Sequence, residues 1–514
     1  MGAVDVVTDE PSVKLLAYLE KPFDLAVASA RSCYNPKLIF TQEVTDKHRD
    51  LIGKSIYEAG HHTPFQHPTF VFGFENISRQ FTWTFLHSHP YYNSEQSSQR
   101  YNVLDEARVY VPPLSAEDRK VYENAVVKAW EAYNELSRIL LDDTRKTMSG
   151  IARIKGLNEK QLATEAEKKA IETARYVVPV AAFTSMYHTI SGIELHRYLR
   201  MANSGDAPTE TNQVVRAMVD EVRKVDPLFF DKIGQEPIPL QELPEHKNGV
   251  QSSEEFNAEF DAQLGGLYSK LVSFDPNAET LVADAVREVH GATRASLSDE
   301  AALDLVLNPA KNPHLLDTLN AWTHSPITRA LNHATYVFKK KISHTGDSQN
   351  QRHRTTPASR PLLTKTHSRK PDFITPEQIA QNPAARAVYE KAMNDLWNAK
   401  NELVERGVPA EFACYLLPNA VALRFTESAP LIHWLHKARL RTCFNAQREI
   451  FDLTMQELKQ IQAVHPRFAK YIGPACFARK GLVEEKPLEG PCPEGVRWCG
   501  ITVWKNFPNV KRPF

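Results

Sequence analysis

The spacing of apolar side chains along the chain predicts short strands and long amphipathic helices. Residues 68–75 place phenylalanine at alternate positions, and this period of two is typical of a strand. Residues 116–140 place apolar side chains every three to four positions, which predicts one long helix. Further helices are predicted over residues 81–89 and from Pro376, a proline in the first turn, to Gly407.

Two segments of the chain occur twice, in the same order. The run from Ile77 to Tyr101 resembles the run from Ile327 to His353, and Ala174–Arg200 resembles Ala413–Arg441. The spacing of roughly 240 residues is far longer than a solenoid repeat. We therefore interpret the chain as two fused copies of a domain that once paired as separate subunits.

A change in composition along the chain predicts where these copies begin and end. Residues 235–255 are rich in proline and then strongly polar, which is typical of a linker. The sequence therefore predicts a first domain over residues 1–249, a second over 250–472, and a tail rich in cysteine, glycine and proline over 473–514.

Charge and composition exclude several classes of protein. The 62 basic residues balance the 62 acidic ones, which argues against wholesale nucleic-acid binding, because such proteins usually carry a basic excess. A basic, apolar leader and an apolar run of roughly 18 residues are both missing, so neither a signal peptide nor a membrane span is expected. Six cysteines do not describe a disulfide scaffold. We expect a cytoplasmic protein.

Several motifs resemble those of one enzyme family. Residues 60–67 read G-H-H-T-P-F-Q-H, a predicted strand follows, and residues 94–101 read S-E-Q-S-S-Q-R-Y. This order resembles the flavin-dependent thymidylate synthases, whose pattern is G-H-x-T-P-F-E-H, a strand, R-H-R, and a loop like S-x-x-Q-S-x-R-Y. Residues 30–34 and 417–450 resemble further motifs of that family.

The resemblance implies a fold and a reaction. The fold is α/β (α+β), with two fused thymidylate synthase-like domains that each hold a mixed sheet flanked by long helices. The family assembles as a homotetramer with active sites at subunit interfaces, so this chain is expected to form a homodimer with four domains. The reaction transfers a methylene group from methylenetetrahydrofolate to C5 of dUMP, with hydride from reduced FAD that NADPH recharges.

The resemblance also implies nucleotide contacts. A nucleotide phosphate needs guanidinium forks and hydroxyl or backbone donors. The implied dUMP contacts are Arg79, Ser98, Gln99, Arg100 and Arg424. A second dense group of donors suits a phosphate or pyrophosphate and comprises Arg352, His353 and Arg354.

Reduced flavin carries negative charge, so it favours cationic neighbours. The flavin contacts implied by the resemblance are His61, Thr63, His89, Arg200 and Arg441. Arg424 and Arg441 have an alternative role in an ordinary buried ion pair, and Ser98 with Arg100 has one as a surface loop. The run 352–354 has one as a solvated basic stretch or an RNA contact.

The chain departs from the family at the R-H-R motif. The first half has His87-Ser88-His89-Pro90 there, and the second half is expected to have Lys339–Lys341 instead, which is most often a charged face. Neither half keeps the whole set, so we expect one composite site between the halves. The alternatives are a degenerate paralogue that binds a nucleotide or RNA, and a flavoenzyme that acts on another pyrimidine nucleotide.

Four cysteines near the end of the chain suggest a structural metal site. Thiolates flanked by turn residues suit tetrahedral zinc, although the spacing lacks C-x-x-C and ordinary buried thiols are the alternative. The candidate ligands are Cys443, Cys476, Cys492 and Cys499.

Overall fold

The computed structural model describes residues 4–247 and 254–513. The predicted domain boundary at residues 249 and 250 lies outside the described residues. We call residues 4–247 the first half and residues 254–513 the second half.

The first half contains one larger sheet and a set of helices around it. Its strands are β1 (Val6–Val7), β2 (Ser12–Tyr18), β3 (Thr69–Ser78), β4 (Tyr92–Gln96), β5 (Ala107–Arg108) and β6 (Phe183–Ser191). Its α-helices are α1 (Pro22–Ser32), α2 (Asp46–His48), α3 (Lys54–Glu58), α4 (Arg79–His87), α5 (Ala116–Lys155), α6 (Glu159–Ala174), α7 (Gly192–Arg200), α8 (Pro208–Val225), α9 (Leu228–Asp231) and α10 (Pro244–Lys247).

The second half repeats the central strands with fewer long helices. Its strands are β7 (Ser269–Phe274), β8 (Thr335–Ser343) and β9 (Ala422–Pro430). Its α-helices are α11 (Glu254–Leu264), α12 (Ala278–His290), α13 (Asp299–Leu307), α14 (His344–Asn350), α15 (Leu363–Thr366), α16 (Glu377–Gln381), α17 (Pro383–Glu405), α18 (Ala410–Ala413), α19 (Leu431–Arg441), α20 (Arg448–Val464), α21 (Pro466–Ala469), α22 (Ala475–Arg479) and α23 (Val503–Asn506).

The predicted strand and helices of the first half are present, with shifted ends. The predicted strand is β3, and the predicted helix after it is α4. Helix α4 begins at Arg79 because Ser78 caps it by accepting a hydrogen bond from Phe81 N at 2.8 Å. The predicted long helix is α5, which continues beyond residue 140 to Gly156, where a φ of 66° ends it. Its added turns bury a narrower stripe that packs against α6.

The predicted helix from Pro376 to Gly407 is divided into α16 and α17. Asn382 leaves the helical conformation between them and caps α17 by accepting a hydrogen bond from Ala385 N at 3.1 Å. Pro383 then takes the first helical position, where its missing N–H costs no hydrogen bond.

Each half is built on a sheet with helices around it, which confirms the predicted architecture of two sheet-and-helix units. The strands of each main sheet pair antiparallel throughout, so the prediction of a mixed sheet was wrong. The first sheet has the order β2-β3-β6-β4 and the second has the order β7-β8-β9. Strands β1 and β5 form a separate parallel pair.

The two halves meet through reciprocal backbone hydrogen bonds. Val180 N donates to Leu417 O at 2.8 Å, and Asn419 N donates to Val178 O at 2.8 Å. The proline between these residues in each half faces the proline of the other. Both halves thus use the same segment, as in an isologous contact about an approximate twofold axis.

A buried glutamate on each side locks this contact. Glu210 accepts hydrogen bonds from Ser78 N at 2.7 Å and Ser78 Oγ at 2.6 Å, and from Tyr415 of the second half at 2.6 Å. The second half repeats the arrangement with Glu449, Ser343 and Tyr176.

The largest apolar core runs across both halves. Trp130 of α5 and Trp397 of α17 are both about 1 % exposed within it, and these two helices pack against each other. A second core lies within the second half and includes Trp498 and Trp504 of the tail. The contact between the halves is therefore part of the folded core.

Candidate functional site between the two halves

The strand register defines which residues of the two halves correspond. Ser78 pairs with Phe183 across β3 and β6, and Ser343 pairs with Ala422 across β8 and β9. Phe183 and Ala422 are 239 positions apart, and so are Glu210 and Glu449, which hold the same serine in each half.

This register corrects both pairings made from the sequence. Ser78 and Ser343 are 265 positions apart, so Ile77 corresponds to Ile342 and not to Ile327, which precedes β8; Arg352 corresponds to His87 and not to Arg100. The separation of 239 makes Arg439 the counterpart of Arg200 and makes Ala202 the counterpart of Arg441. Pairing the two Leu-Arg dipeptides was therefore wrong by two residues. Arg200 and Arg441 occupy different environments.

Five arginines from both halves gather at the contact between them. Burial lowers the pKa of Arg79, and the charges of Arg175 and Arg352 lower it further. Burial also lowers the pKa of Arg441, with further contributions from Arg100 and Arg352. Guanidinium groups remain charged at neutral pH even so. We call the group Arg79, Arg100, Arg175, Arg352 and Arg441 the arginine seam.

Few carboxylates offset these charges. Glu172 Oε2 bonds Arg100 Nε. Burial opposes ionisation of Glu172, but Lys169, Arg100 and Arg175 together lower its pKa to about 2. Within residues 4–247 and 254–513, the other four arginines of the seam form no ion pair. The seam thus holds positive charge that a bound anion would offset.

Arg79 is the arginine of the seam whose charge is least compensated. It begins α4, which the Ser78 cap fixes at the end of β3. Its side chain is 5 % accessible to solvent, and its partner among the described residues is Ser97 O, at 3.5 Å from Nη1. A buried guanidinium with one weak hydrogen bond is costly unless an anion occupies its remaining donors.

Arg441 orients the R-H-R run of the second half. Its Nη2 donates to Gln349 O at 2.9 Å, and its Nε donates to His353 Nε2 at 2.9 Å. That imidazole nitrogen is therefore an unprotonated acceptor, and burial together with the Arg441 charge holds the pKa of His353 well below its ordinary value. The neutral ring therefore helps to fix the Arg441 guanidinium.

A cavity of about 330 Å³ opens beside the seam. Arg352 and Arg354 line it from the second half, and strand β4 lines it from the first. Arg354 donates to Asn93 Oδ1 at 3.1 Å, and its guanidinium lies 5.1 Å from the centre of the Tyr92 ring. The cavity is therefore shared by both halves.

The predicted nucleotide loop lies against the same contact. Gln99 Oε1 accepts a hydrogen bond from Asn419 Nδ2 at 3.1 Å, while Gln99 Nε2 is buried without a partner. Ser98 Oγ accepts from Arg100 N at 3.3 Å, and Arg100 Nη2 donates to Asn445 O of the second half at 2.7 Å. The structure thus brings Ser98, Gln99 and Arg100 to the seam.

Arg424 has different neighbours. Its guanidinium donates to Asp261 at 2.8 Å from both Nε and Nη2, and to Asp372 at 2.5 and 3.1 Å. Although burial lowers the pKa of Arg424, these carboxylates raise it well above its ordinary value. Arg424 is therefore neutralised within its own half, and its role toward dUMP stays a prediction.

Three of the candidate flavin contacts lie near the opposite end of β3. His61 and Thr63 are exposed, directly before that strand begins. Arg200 is also exposed, donates to Glu236 O at 3.0 Å, and acts electrostatically on Tyr57, whose ring lies 5.4 Å from that of His62. A strand of this length separates them from Ser78 by about 30 Å.

His89 is part of a buried hydrogen-bond chain. Its Nε2 lies 2.7 Å from Tyr198 OH, and that hydroxyl lies 3.2 Å from His188 Nε2. Burial, with a smaller effect of Arg197, lowers the pKa of His89 to about 4.

The sequence did contain the R-H-R letters that were thought to be missing. Lys339–Lys341 are part of strand β8, so they cannot be the residues that follow the strand. Helix α14 comes next, and the letters R-H-R stand directly after it at residues 352–354. Arg175 was not identified as a site residue from the sequence, although it stands in the repeated segment Ala174–Arg200, because its counterpart there is Cys414 and it begins a short 3-10 turn after α6.

The four cysteines do not form a metal site in the structure. Among the residues described, no group of three or more His, Cys, Asp or Glu side chains is placed to hold a metal ion. The thiols do lie near one another, because Cys443, Cys492 and Cys499 each act electrostatically on Cys476. The structure thus gathers the predicted ligands Cys443, Cys476, Cys492 and Cys499, but shows no metal-binding arrangement among these described residues.

Comparison with known proteins decides the family. The family described as "Thymidylate synthase complementing protein" matches residues 14–228 and again residues 270–467. The chain belongs to this family. The resemblance stated from the motifs is thereby confirmed, and each half of the chain carries one matched region.

Relatives in this family are shorter than this chain. A flavin-dependent thymidylate synthase from Clostridium tetani is 29% identical over 227 residues, which is 43% of this chain and 86% of the relative. One from Geobacter sulfurreducens is 31% identical over 188 residues, covering 36% of this chain and 75% of the relative.

Solved structures give a more distant likeness. The UMP/dUMP methylase PolB from Streptomyces cacaoi, bound with 5-Br dUMP, is 22% identical with a TM-score of 0.34, covering 45% of this chain and 96% of PolB. Within the described ranges, no helix has the length and apolarity needed to cross a bilayer.

Proposed function

We propose that the chain catalyses the reductive methylation of dUMP at C5. Methylenetetrahydrofolate is the carbon donor, reduced FAD is the hydride donor, and NADPH reduces the flavin. The observation that carries this proposal is Arg79, a buried guanidinium with one weak hydrogen bond inside a cluster of five arginines. Membership of the thymidylate synthase complementing protein family supports the reaction class.

The arginine seam is the proposed site of the dUMP phosphate. Arg100 and Arg441 approach it from opposite halves, and two guanidinium forks suit a phosphate dianion. Ser98 and Gln99 supply neutral donors on the same loop, and the unpartnered Gln99 Nε2 has a free N–H for the nucleotide. An added contact from Arg424 requires its release from Asp261 and Asp372.

The residues proposed for the flavin fit it only in part within one chain. Arg441, with Arg352 and Arg354, supplies cationic donors suited to a pyrophosphate and to reduced flavin. His61, Thr63 and Arg200 lie on an exposed edge about 30 Å away along β3. We infer that a second copy of the chain brings its edge to this seam, in a homodimer whose four domains mimic the family tetramer.

When bound, FAD supplies the redox chemistry, and the chain contributes binding and positioning. The seam arginines hold the anionic groups, and the neutral His353 keeps Arg441 in place. The thiols of Cys414 and Cys443 are protonated by burial, so neither is proposed as a nucleophile.

The direct experiment is a spectrum of the purified protein followed by a turnover assay. A bound oxidised flavin gives an absorption band at ~450 nm, and conversion of dUMP to dTMP should then require both the folate and NADPH. A colourless protein that FAD cannot reconstitute, yet binds nucleotide or RNA, would favour the degenerate binding paralogue. A yellow protein that methylates another pyrimidine nucleotide would change the substrate.

A further inference from the structure

The C-terminal tail builds a second, larger cavity next to Arg100. The cavity has a volume of about 610 Å³ and lies between α5, α6 and the tail. Its tail residues, from Glu494 to Cys499, lie beyond the second family match, which ends at residue 467. The second half has no equivalent, because its long helix α17 ends at Glu405 and leads only to the short α18.

The tail is seated closely on α5. Gly500 has a φ of 81°, and a Cβ added there would come 2.4 Å from Ile151 Cγ2 and 3.2 Å from Lys155 Cδ. A side chain at this position is excluded both by the conformation and by the contact. The cavity wall is therefore held at a fixed distance from the helix.

The interior of the cavity combines apolar and aromatic surface. Met148, Ile151 and Ala152 of α5 form an apolar floor. Tyr101 presents a ring that is 60 % exposed, and Trp498 forms part of the opposite wall. Such a surface suits a flat ring system.

The rim of the cavity carries spare positive charge. Of its cations, Lys168 pairs with Glu165 at 3.0 Å, and Arg100 pairs with Glu172. In the part of the chain that the structure describes, Lys155 and Arg497 have no carboxylate partner. Glu494 also lines the wall and is not ion-paired there, so the cations exceed the carboxylates by five to three.

We propose that this cavity binds a flat aromatic co-substrate that carries anionic groups, with Lys155 and Arg497 holding those groups. This inference rests on the proposed function, which requires two compounds of that chemistry: a reduced folate with carboxylates and a nicotinamide dinucleotide with phosphates. The volume lies in the usual range for small-molecule sites. Because Arg100 lines the cavity as well as the seam, the ligand lies beside the nucleotide site.

The test is calorimetric titration of the full-length protein with tetrahydrofolate, NADPH and dUMP in turn. The double variant Lys155→Gln/Arg497→Gln removes both spare cations, so the Kd for one of the two co-substrates should rise on the order of 10-fold. The Kd for dUMP should stay within about twofold. A matched control, Lys146→Gln/Lys505→Gln, removes one exposed cation from the same helix and one from the tail, and should change none of the three.

The outcomes separate this inference from the function it rests on. Unchanged affinity for both co-substrates, no binding of either by the unmodified protein, or a loss confined to dUMP would overturn the cavity as a co-substrate site. Failure of the unmodified protein to bind dUMP would overturn the proposed function instead, and direct titration with the co-substrates still judges the cavity.

Discussion

The arginine seam is positively charged, whereas the residues related to it by the approximate twofold axis are uncharged. The approximate twofold axis gives four of the seam arginines a counterpart in the other half, and none of the four counterparts is a cation at neutral pH. The pairs are Arg79 and His344, Arg175 and Cys414, Arg352 and His87, and Arg441 and Ala202. We call His87, Ala202, His344 and Cys414 the neutral seam.

The neutral seam is neutral because it is buried. Burial, with smaller effects of nearby charges, lowers the pKa of His87 and of His344 to about 3. Burial likewise raises the pKa of Cys414 well above its ordinary value. An arginine does lie nearby, but Arg360 is held by Asp347 at 2.6 and 3.0 Å, and Trp83 Nε1 donates to the same carboxylate at 2.8 Å.

The difference shows what fusion of two domains permits. In a symmetric homodimer a substitution changes both sites at once, whereas a fused chain can keep one and lose the other. We therefore expect one site for the dUMP phosphate per chain, at the arginine seam, with the neutral seam serving only the fold.

The cores behind the two seams differ in the same sense. In the second half, Lys340 bonds Glu427 at 2.5 Å and Glu457 at 2.6 Å, and all three are buried. Asn350, just before the R-H-R run, donates to Glu427 at 2.6 Å. The first half has His188 and Met218 at the positions of the two glutamates.

The largest expected effect comes from the ionic core. Glu427→Gln leaves the buried Lys340 and Lys437 to share one carboxylate, which should cost about 3–5 kcal/mol of stability. The matched variant His188→Gln in the first half removes one hydrogen bond, for about 1 kcal/mol. Scanning calorimetry at pH 7 compares their midpoints. Equal shifts would show that the two cores are energetically alike.

A second test uses pH at the neutral seam. Asp206 accepts from Thr364 N at 2.9 Å, its Oδ2 has no partner, and burial raises its pKa from 3.8 to about 6. Since the folded pKa exceeds the unfolded value, the folded state holds this proton more tightly. Its stabilising contribution is complete below about pH 4 and is lost as pH rises to about 6.

Asp206→Asn should remove this pH dependence and install the residue found at the counterpart, Asn445. The variant should match the natural protein near pH 4 and exceed its stability by up to about 3 kcal/mol at pH 7. Thermal midpoints measured between pH 4 and pH 8 check this. Parallel curves for the two proteins would show that Asp206 does not titrate in that window.

The next effect concerns ligand affinity rather than stability. Arg79→Gln removes the buried charge of the seam and should weaken dUMP binding by about 1.5–3 kcal/mol, the scale of hydrogen bonds to charged groups. His344→Gln, at the counterpart position, should leave dUMP affinity unchanged. Calorimetric titration of both variants measures the difference. Equal losses would mean that both seams bind nucleotide, contrary to the single-site expectation.

The sequence predicted elements better than it predicted the site. Strand β3 and helix α5 follow from the spacing of apolar residues, because one face of each packs into a core. The spacing could not show that Lys340 is buried, since its glutamate partners lie far along the chain. The prediction that Lys339–Lys341 form a charged face was therefore wrong for Lys340.

The site was harder because its residues meet only through the fold. Arg441 lies near Arg100 of the nucleotide loop only because the two halves are in contact, and the residues that make this contact have no spacing in common along the chain. The R-H-R letters were overlooked because helix α14 separates them from strand β8. The resemblance identified Arg100 and Arg441 and led to the prediction of one composite site between the halves, but it assigned Arg100 to dUMP and Arg441 to FAD.

The smallest expected difference between the two halves comes from removing a serine cap, because the loss of stability should be the same in both. Ser78 accepts from Phe81 N at 2.8 Å and donates to Glu210 at 2.6 Å; Ser343 accepts from Gly346 N at 2.9 Å and donates to Glu449 at 2.6 Å. Ser78→Ala and Ser343→Ala each remove an N-cap and a hydrogen bond to a buried glutamate, and each should cost about 1–2 kcal/mol.

Because cap and glutamate are the same on both sides of the axis, the two thermal midpoints should fall by nearly equal amounts. Both variants should retain dUMP affinity, since neither side chain contacts an arginine of the seam. A much larger loss at Ser343 would mean that the ionic core of the second half depends on its cap. The two halves would then differ in their shared frame as well as in their charges.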